Sequence, residues 1–233
     1  MRGSIRERRS LVVLASMLLS QAAYCFNIRE IATFAKGFLK NPSDVGSPFP
    51  CSSSVGYELM NYIVRSMNQN PSKPLRILEV GAGTGSVTQV LARVLRPIDH
   101  LDCIELSPDY CATLQNKFGA FPTISIHCVD LNEFRHEVSY DFIISTLPLN
   151  SFDLELLNNT LAQFKNLIKP GGIVSYVAIA GMAQAKQYFS WGNAKKKNAD
   201  TINVLKQFRK QYQIDSATVL TTCPPIRVYH LQL

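Results

Sequence analysis

The chain has 233 residues, 46% of them hydrophobic and 18% charged, which is too apolar for a disordered chain and long enough for one domain with an appendage. Only one apolar run approaches spanning length, which excludes a polytopic membrane protein, and no fixed repeat period points to a solenoid. The formal net charge of +7 is concentrated in two patches, one of four arginines in residues 1–10 and one running from Lys186 to Lys210 with Asp200 as its single acid. Such patches suit phosphate on lipid headgroups or on nucleic acid. A solubilising surface run explains them equally well.

The six cysteines are Cys25, Cys51, Cys103, Cys111, Cys128 and Cys223. No two form a C-x-x-C pair and the four histidines are scattered, so no metal site is expected. Cys103 and Cys128 fall inside apolar strand-like runs, where a reduced thiol behaves as a small hydrophobe.

In chain order, residues 1–26 form the first unit. An arginine-rich stretch precedes the apolar run LVVLASMLLSQAAYC at 11–25. Three readings fit: a signal peptide, an anchor on a membrane surface, or a start codon assigned too early with Met17 as an alternative. Residues 27–73 form a helical segment. Asn27 and Glu30 have capping-box spacing, and Ile28, Ile31, Phe34, Ala35, Phe38 and Leu39 follow helical periodicity up to Asn41-Pro42. Arg29, Lys36 and Lys40 flank that apolar face, which suits a lipid interface or packing on its own domain. Tyr57 and Tyr62 on the helix beyond read as packing residues.

Residues 74–233 alternate between two periods. Strand-length apolar runs fall at 76–80, 100–106, 123–130, 140–146 and 172–179, with helical stretches at 86–96, 108–118 and 154–168 between them. Alternation of this kind predicts an α/β domain with a doubly wound, mainly parallel sheet covered on both faces. Two further β-rich runs, 217–222 and 226–233, are joined by Cys223-Pro224-Pro225 and predict a strand pair closing one edge.

The sharpest motif is LEVGAGTG at 78–85, placed between a strand and a helix. Gly81 permits a tight turn, Gly83 lets backbone approach a ligand, and Gly85 allows close packing at the helix start. Serine at position 86 departs from the G-x-G-x-x-G of nicotinamide and flavin enzymes. No G-K-[ST] follows, so a bound triphosphate is not expected. Glu79 stands before the loop, able to accept from an amine-bearing ligand. Glu105 and Asp130 end the second and third strands, where carboxylates can accept from ribose hydroxyls and from the amino group of an adenine. Adenine, ribose, no phosphate and several acids point to S-adenosylmethionine.

With LEVGAGTG, IELSPD (104–109), VDLNEF (129–134) and LIKPGG (167–172), residues 74–233 resemble the class I S-adenosylmethionine-dependent methyltransferases. The resemblance implies a Rossmann-like seven-stranded sheet with its last strand antiparallel. It also implies Glu79, Gly81, Ala82, Gly83, Gly85, Glu105, Leu106, Asp130 and Leu131 as cofactor contacts.

The residues after the fourth strand, Ser145-Thr146-Leu147-Pro148-Leu149-Asn150, are expected to face the acceptor. The chain is distantly similar to ribosomal RNA adenine dimethyltransferases. However, Thr146 and Leu149 stand where those enzymes carry an amide or acid and a stacking ring. Closer is a resemblance to bacterial phospholipid N-methyltransferases, which methylate phosphatidylethanolamine. It is carried by FLKNPSDVGSPFPCSS (38–53), STLPLNSF (145–152) and CPPIRVYHL (223–231). It implies a phospholipid or membrane surface as partner, with RNA as the alternative. Leu147, Pro148 and Leu149 are the expected substrate contacts, and Ser145, Thr146 and Asn150 the candidate catalytic polar groups. A cytosolic methyl donor favours an anchor or an early start for residues 1–26, and a peripheral place on the cytoplasmic face of the inner membrane.

Overall fold

The structure, a computed structural model, describes residues 53–180, 192–222 and 224–233, with backbone alone at 192–197. The 1–26 segment, the amphipathic helix expected over 27–40, Lys186, the side chains of Lys195, Lys196 and Lys197, and Cys25, Cys51 and Cys223 lie outside the described residues.

Two helices, α1 (Ser53–Leu59) and α2 (Asn61–Gln69), lead into β1 (Arg76–Val80), α3 (Ser86–Ala92), β2 (His100–Glu105), α4 (Pro108–Phe118) and β3 (Ile124–Cys128). Then follow β4 (Tyr140–Ser145), a 3-10 turn (Leu149–Ser151), α5 (Leu154–Leu167), β5 (Ile168–Ile179), α6 (Gly192–Tyr212), β6 (Gln213–Val219) and β7 (Ile226–Gln232). The seven strands form one sheet in the order β3-β2-β1-β4-β5-β7-β6. Only β7 runs against the rest, antiparallel to β5 and to β6. This is the expected α/β architecture.

Side-chain alternation along each strand splits the core in two. Ile77, Leu101, Cys103 and Phe142 face a layer built from Val55, Leu59, Ile63, Val90, Leu91 and Leu114, which brings α1 to α4 onto one face. Leu78, Val80, Ile104, Ile143 and Val174 face Leu157, Leu161, Phe164, Leu205 and Phe208, which brings α5 and α6 onto the other. Each such buried Leu or Phe contributes about 2 kcal/mol of hydrophobic stabilisation. α4 opens with Pro108 at its first position, has Asp109 in its first turn and Lys117 in its last, which suits the helix dipole. α5 is capped by Asp153, whose side chain accepts from Leu156 N–H at 2.8 Å.

From β1 the chain winds outward to β2 and β3, then returns to β4 on the other side of β1. That reversal makes the carboxyl ends of β1 and β4 the switch point of the sheet, where doubly wound folds bind ligands. Register brings those ends level: Val80 pairs with Ile104 and with Ser145, and Glu105 with Cys128.

Several element bounds differ from expectation. The helix expected over 86–96 ends at Ala92, because Arg93 and Val94 already bond three residues back. Arg96 is then drawn onto Asp99, with its Nε at 2.8 Å from Oδ2 and an Nη at 2.7 Å from Oδ1. Asp130 lies two residues beyond the end of β3. β5 starts at Ile168, ahead of the expected 172, since Tyr140 pairs with Ile168 before a bulge that Gly171 relieves at φ +77°. β6 lies at 213–219 and not at 217–222. Thr222 closes the connection instead, its hydroxyl donating to Val219 O at 3.0 Å and accepting from Ile226 N–H at 3.1 Å.

One cysteine expectation is corrected. Cys103 is a buried free thiol, as read. Cys128 is exposed at the end of β3 and is joined in a disulfide to Cys111 of α4, with Cα atoms 5.8 Å apart. Cys128 shares the face of Ile124 and Ile126, on the α4 side of the sheet, but stands at the strand's open end, where it meets Cys111 beyond the packed layer.

Candidate active site

The glycine loop is held by its neighbours before any ligand arrives. Gly81, Gly83 and Gly85 all have positive φ, +75°, +58° and +88°, a conformation that a Cβ disfavours. The N–H groups of Gly81 and Ala82 donate to Ile104 O at 2.9 and 3.2 Å. Gly83 N–H donates to Glu105 Oε2 at 2.8 Å. Lys117 reaches from α4 to Thr84 O at 2.8 Å.

The three expected acids lie at one rim of the sheet. Glu79 on β1 is wholly buried, and its Oε2 accepts from Thr88 Oγ1 at 2.8 Å and faces Cys103 Sγ at 3.6 Å. Burial pushes its pKa up to about 7, against the opposing pull of the Thr88 hydrogen bond. Its Oε1 and the Thr84 hydroxyl are buried with no hydrogen-bond partner. Glu105 at the end of β2 uses both carboxylate oxygens on backbone, Oε2 on Gly83 and Oε1 on Ser107 N–H at 2.9 Å. Beside it Leu106, the first residue past β2, is 56% exposed. Asp130 accepts through Oδ1 from Asn132 N–H at 2.7 Å.

These groups fit S-adenosylmethionine. An orphaned buried carboxylate oxygen suits its ammonium, a bare main-chain turn suits its ribose and thioether, and an exposed leucine suits an adenine face. Glu105 keeps lone pairs for ribose hydroxyls while it holds the turn.

Three expected cofactor contacts have other duties. A Cβ on Gly85 would run into the Phe118 ring, so this glycine serves α4 packing. Ala82 and Leu131 are 7% and 6% exposed, and their side chains belong to the two core layers. They meet a ligand only through backbone.

On the acceptor side, Leu147 packs on the glycine loop, where a Cβ on Gly81 would stand 2.9 Å from its Cδ2. Pro148 leads the 3-10 turn. Leu149 is corrected as a substrate contact, since it is 1% exposed within the α5 core layer. Ser145 is wholly buried and its Oγ accepts from Leu147 N–H at 3.3 Å. Thr146 donates its hydroxyl to Gly81 O at 2.6 Å. Both therefore act as positioning groups. Asn150 is half-buried on the 3-10 turn.

Reading the sequence missed Thr88 and Cys103 around Glu79, and Ser107 under Glu105. In SVTQVLA, Thr88 shares a helical face with Leu91 and Ala92, and a hydroxyl on that apolar face was the available signal. Ser107 acts through its backbone and leaves none. Tyr62 packs on His230, ring centroids 4.8 Å apart. Among the described residues no cluster of three or more His, Cys, Asp or Glu is placed to hold a metal ion, and no helix is long and apolar enough to cross a membrane.

Residues 77–172 match the family described as "Methyltransferase domain". The ornithine lipid N-methyltransferase of Singulisphaera acidiphila is 28% identical over 107 residues, covering 43% of this chain and 56% of that protein. The malonyl-[acyl-carrier protein] O-methyltransferase of Bacillus cereus is 33% identical over 95 residues, covering 41% of this chain and 33% of that protein. This chain thus spans 56% or less of the length of these two relatives. The crystal structure of the N-methyltransferase NodS from Bradyrhizobium japonicum WM9 with S-adenosyl-L-homocysteine superposes with a TM-score of 0.57. It is 14% identical, over 87% of this chain and 98% of that one. The chain carries a methyltransferase domain with the Rossmann-like fold of the class I S-adenosylmethionine-dependent enzymes. The acceptors named for these relatives differ, one a malonyl-[acyl-carrier protein] methylated at oxygen and one an ornithine lipid methylated at nitrogen.

Proposed function

We propose that the protein is an S-adenosylmethionine-dependent N-methyltransferase that acts on the amine of a phospholipid headgroup. In this reading phosphatidylethanolamine is the acceptor, and the protein sits peripherally on the cytoplasmic face of the inner membrane. The observation that carries it is the aliphatic acceptor wall. Leu147 stands against Gly81 and Pro148 follows it into the 3-10 turn, with neither the amide or acid nor the aromatic ring that a flipped adenine requires. The likeness to an ornithine lipid N-methyltransferase supports a lipid amine as the acceptor class.

When bound, S-adenosylmethionine supplies a sulfonium methyl group to a nucleophile in line with the breaking C–S bond. The protein's part is positioning and exclusion of water. Glu79 Oε1 takes the cofactor's ammonium, Glu105 the ribose hydroxyls, Leu106 an adenine face and Asp130 the exocyclic amine. The Thr146 hydroxyl bond to Gly81 O ties the acceptor wall to the donor turn. The Ser145 and Thr146 hydroxyls are both engaged in holding loops, so neither serves as a base. The acceptor amine must meet the methyl group as its free base, and neither of these hydroxyls takes its proton.

Labelled methyl donor incubated with phosphatidylethanolamine vesicles should leave label in the organic phase, and Glu105→Ala should abolish it. Label transferred to ribosomal RNA and not to lipid would overturn the lipid reading.

A further inference from the structure

We propose that Cys111 and Cys128 form a reversible thiol–disulfide site that sets the protein's affinity for S-adenosylmethionine. This rests on the donor reading above. The two cysteines belong to the two walls of the adenosine subsite. Cys111 lies one turn into α4, its N–H donating to Ser107 O at 2.9 Å, and Ser107 N–H in turn holds Glu105 Oε1. Cys128 ends β3 and continues through Val129 into Asp130. The bridge therefore ties the Glu105 wall to the Asp130 wall across a sequence separation of 17 residues.

The Glu105 carbonyl sits at the junction. It accepts Val129 N–H at 3.1 Å and lies 3.4 Å from Cys111 Sγ. While the disulfide stands, that sulfur has no proton to give, and Val129 has the carbonyl to itself. Once reduced, the Cys111 thiol donates to the same oxygen and competes with the Val129 amide. Both redox states are thus locally satisfied, but only the oxidised one pins Asp130 opposite Glu105. In the reduced state that wall keeps only non-covalent ties, such as Gln163 Nε2 to Phe134 O at 2.7 Å.

The geometry also makes the exchange accessible and selective. Cys128 is exposed, so the thiolate of a dithiol reductant can attack its sulfur. The S–S bond breaks, and Cys111 leaves as a thiolate near the amino end of α4, where the helix favours negative charge. It then takes a proton from solvent. The second thiolate of the reductant attacks the mixed disulfide and releases Cys128. Two electrons pass to the protein pair, and the reductant ends as its own disulfide. Cys103, the other cysteine of this face, is fully buried with its thiol pushed up by burial and by Glu79, and it takes no part.

The test is calorimetric titration of S-adenosyl-L-homocysteine into the full chain, air-oxidised and after reduction with dithiothreitol. Reduction is expected to weaken binding by about 5-fold or more, and reoxidation to restore it. A Cys111→Ser/Cys128→Ser double variant should bind at the weaker value under both conditions, whereas Cys103→Ser should still switch. Equal affinity in both states would overturn the proposal, as would mass spectrometry showing Cys111 and Cys128 both alkylated in the oxidised protein. Absence of binding in either state would instead refute the donor reading on which the switch rests.

Discussion

Glu79→Gln changes one charge at almost constant shape, in a site where that charge has two opposing effects. Glu79 is wholly buried, and burial lifts its pKa from an ordinary 4.5 to about 7. Between those values the folded protein binds more protons than the unfolded chain. The stability that the neutral carboxyl contributes is complete below 4.5 and is lost as pH rises through about 7. At pH 8 the charged form costs the unliganded protein about 3 kcal/mol. The amide of the variant carries no such cost, so the unliganded variant should melt higher than the wild type at pH 8 and close to it at pH 5. Cofactor binding should respond in the opposite direction, because Oε1 must be charged to hold an ammonium. At pH 6 about nine-tenths of the wild-type carboxyl is protonated, and affinity should be about tenfold below its value at pH 8. The Gln variant should lose about 1.5–3 kcal/mol of affinity at pH 8, that of a charge-assisted hydrogen bond, and its affinity should be flat from pH 6 to 8. Thermal melts without ligand, with calorimetric titration of S-adenosyl-L-homocysteine at both pH values, read the two effects separately. A Gln variant that binds as tightly as wild type with the same pH slope would refute the role given to Glu79.

Three further outcomes follow from the same geometry. Gly81→Ala places a Cβ at φ +75° and 2.9 Å from Leu147, so it should cost about 1–2 kcal/mol in chemical denaturation and abolish cofactor binding. Thr146→Val removes the hydroxyl bond to Gly81 O, and should raise the cofactor KM several-fold while the melting temperature falls by only a few degrees. For Asp99, burial raises the pKa but the hydrogen bonds from Arg96 and from Leu75 N–H outweigh it, leaving the carboxyl below its ordinary value. Its contribution to stability is present above pH 4 and lost as pH falls toward that lowered value, so urea denaturation of Asp99→Asn across pH 2.5–6 should show a flatter acid limb than wild type.

The placement of the candidate donor residues around one rim was legible in the sequence, because it is written in local pattern. A five-residue strand, three glycines at alternate positions, Glu105 at the next strand end and Asp130 two residues past the one after place these groups at the carboxyl rim of a doubly wound sheet. What pattern could not separate was side-chain duty. Gly85 reads as a packing glycine and, by resemblance, as a cofactor contact; that its packing partner is the Phe118 ring of α4 shows only in the fold. Ser145, Thr146 and Leu149 follow a strand as acceptor contacts should. The sharp return of the chain turns Ser145 onto Leu147 N–H, Thr146 onto the glycine loop and Leu149 into the core. The Cys111–Cys128 pair left no sequence signal, because its partners meet only through the side-by-side placement of β2, β3 and α4. Strand and helix ends moved by up to four residues where a bulge, a tightened turn or a side-chain bond replaced the regular ladder.

A crystal structure of the protein with S-adenosyl-L-homocysteine bears most directly on whether this rim is a methyl-donor cradle. The ribose hydroxyls should lie on Glu105, the adenine against Leu106 beside Asp130, the amino group within hydrogen-bond reach of Glu79 Oε1, and the sulfur over the Gly81–Gly83 turn. Ligand found elsewhere, or bound at this rim with Glu79 and Glu105 both uninvolved, would contradict the account.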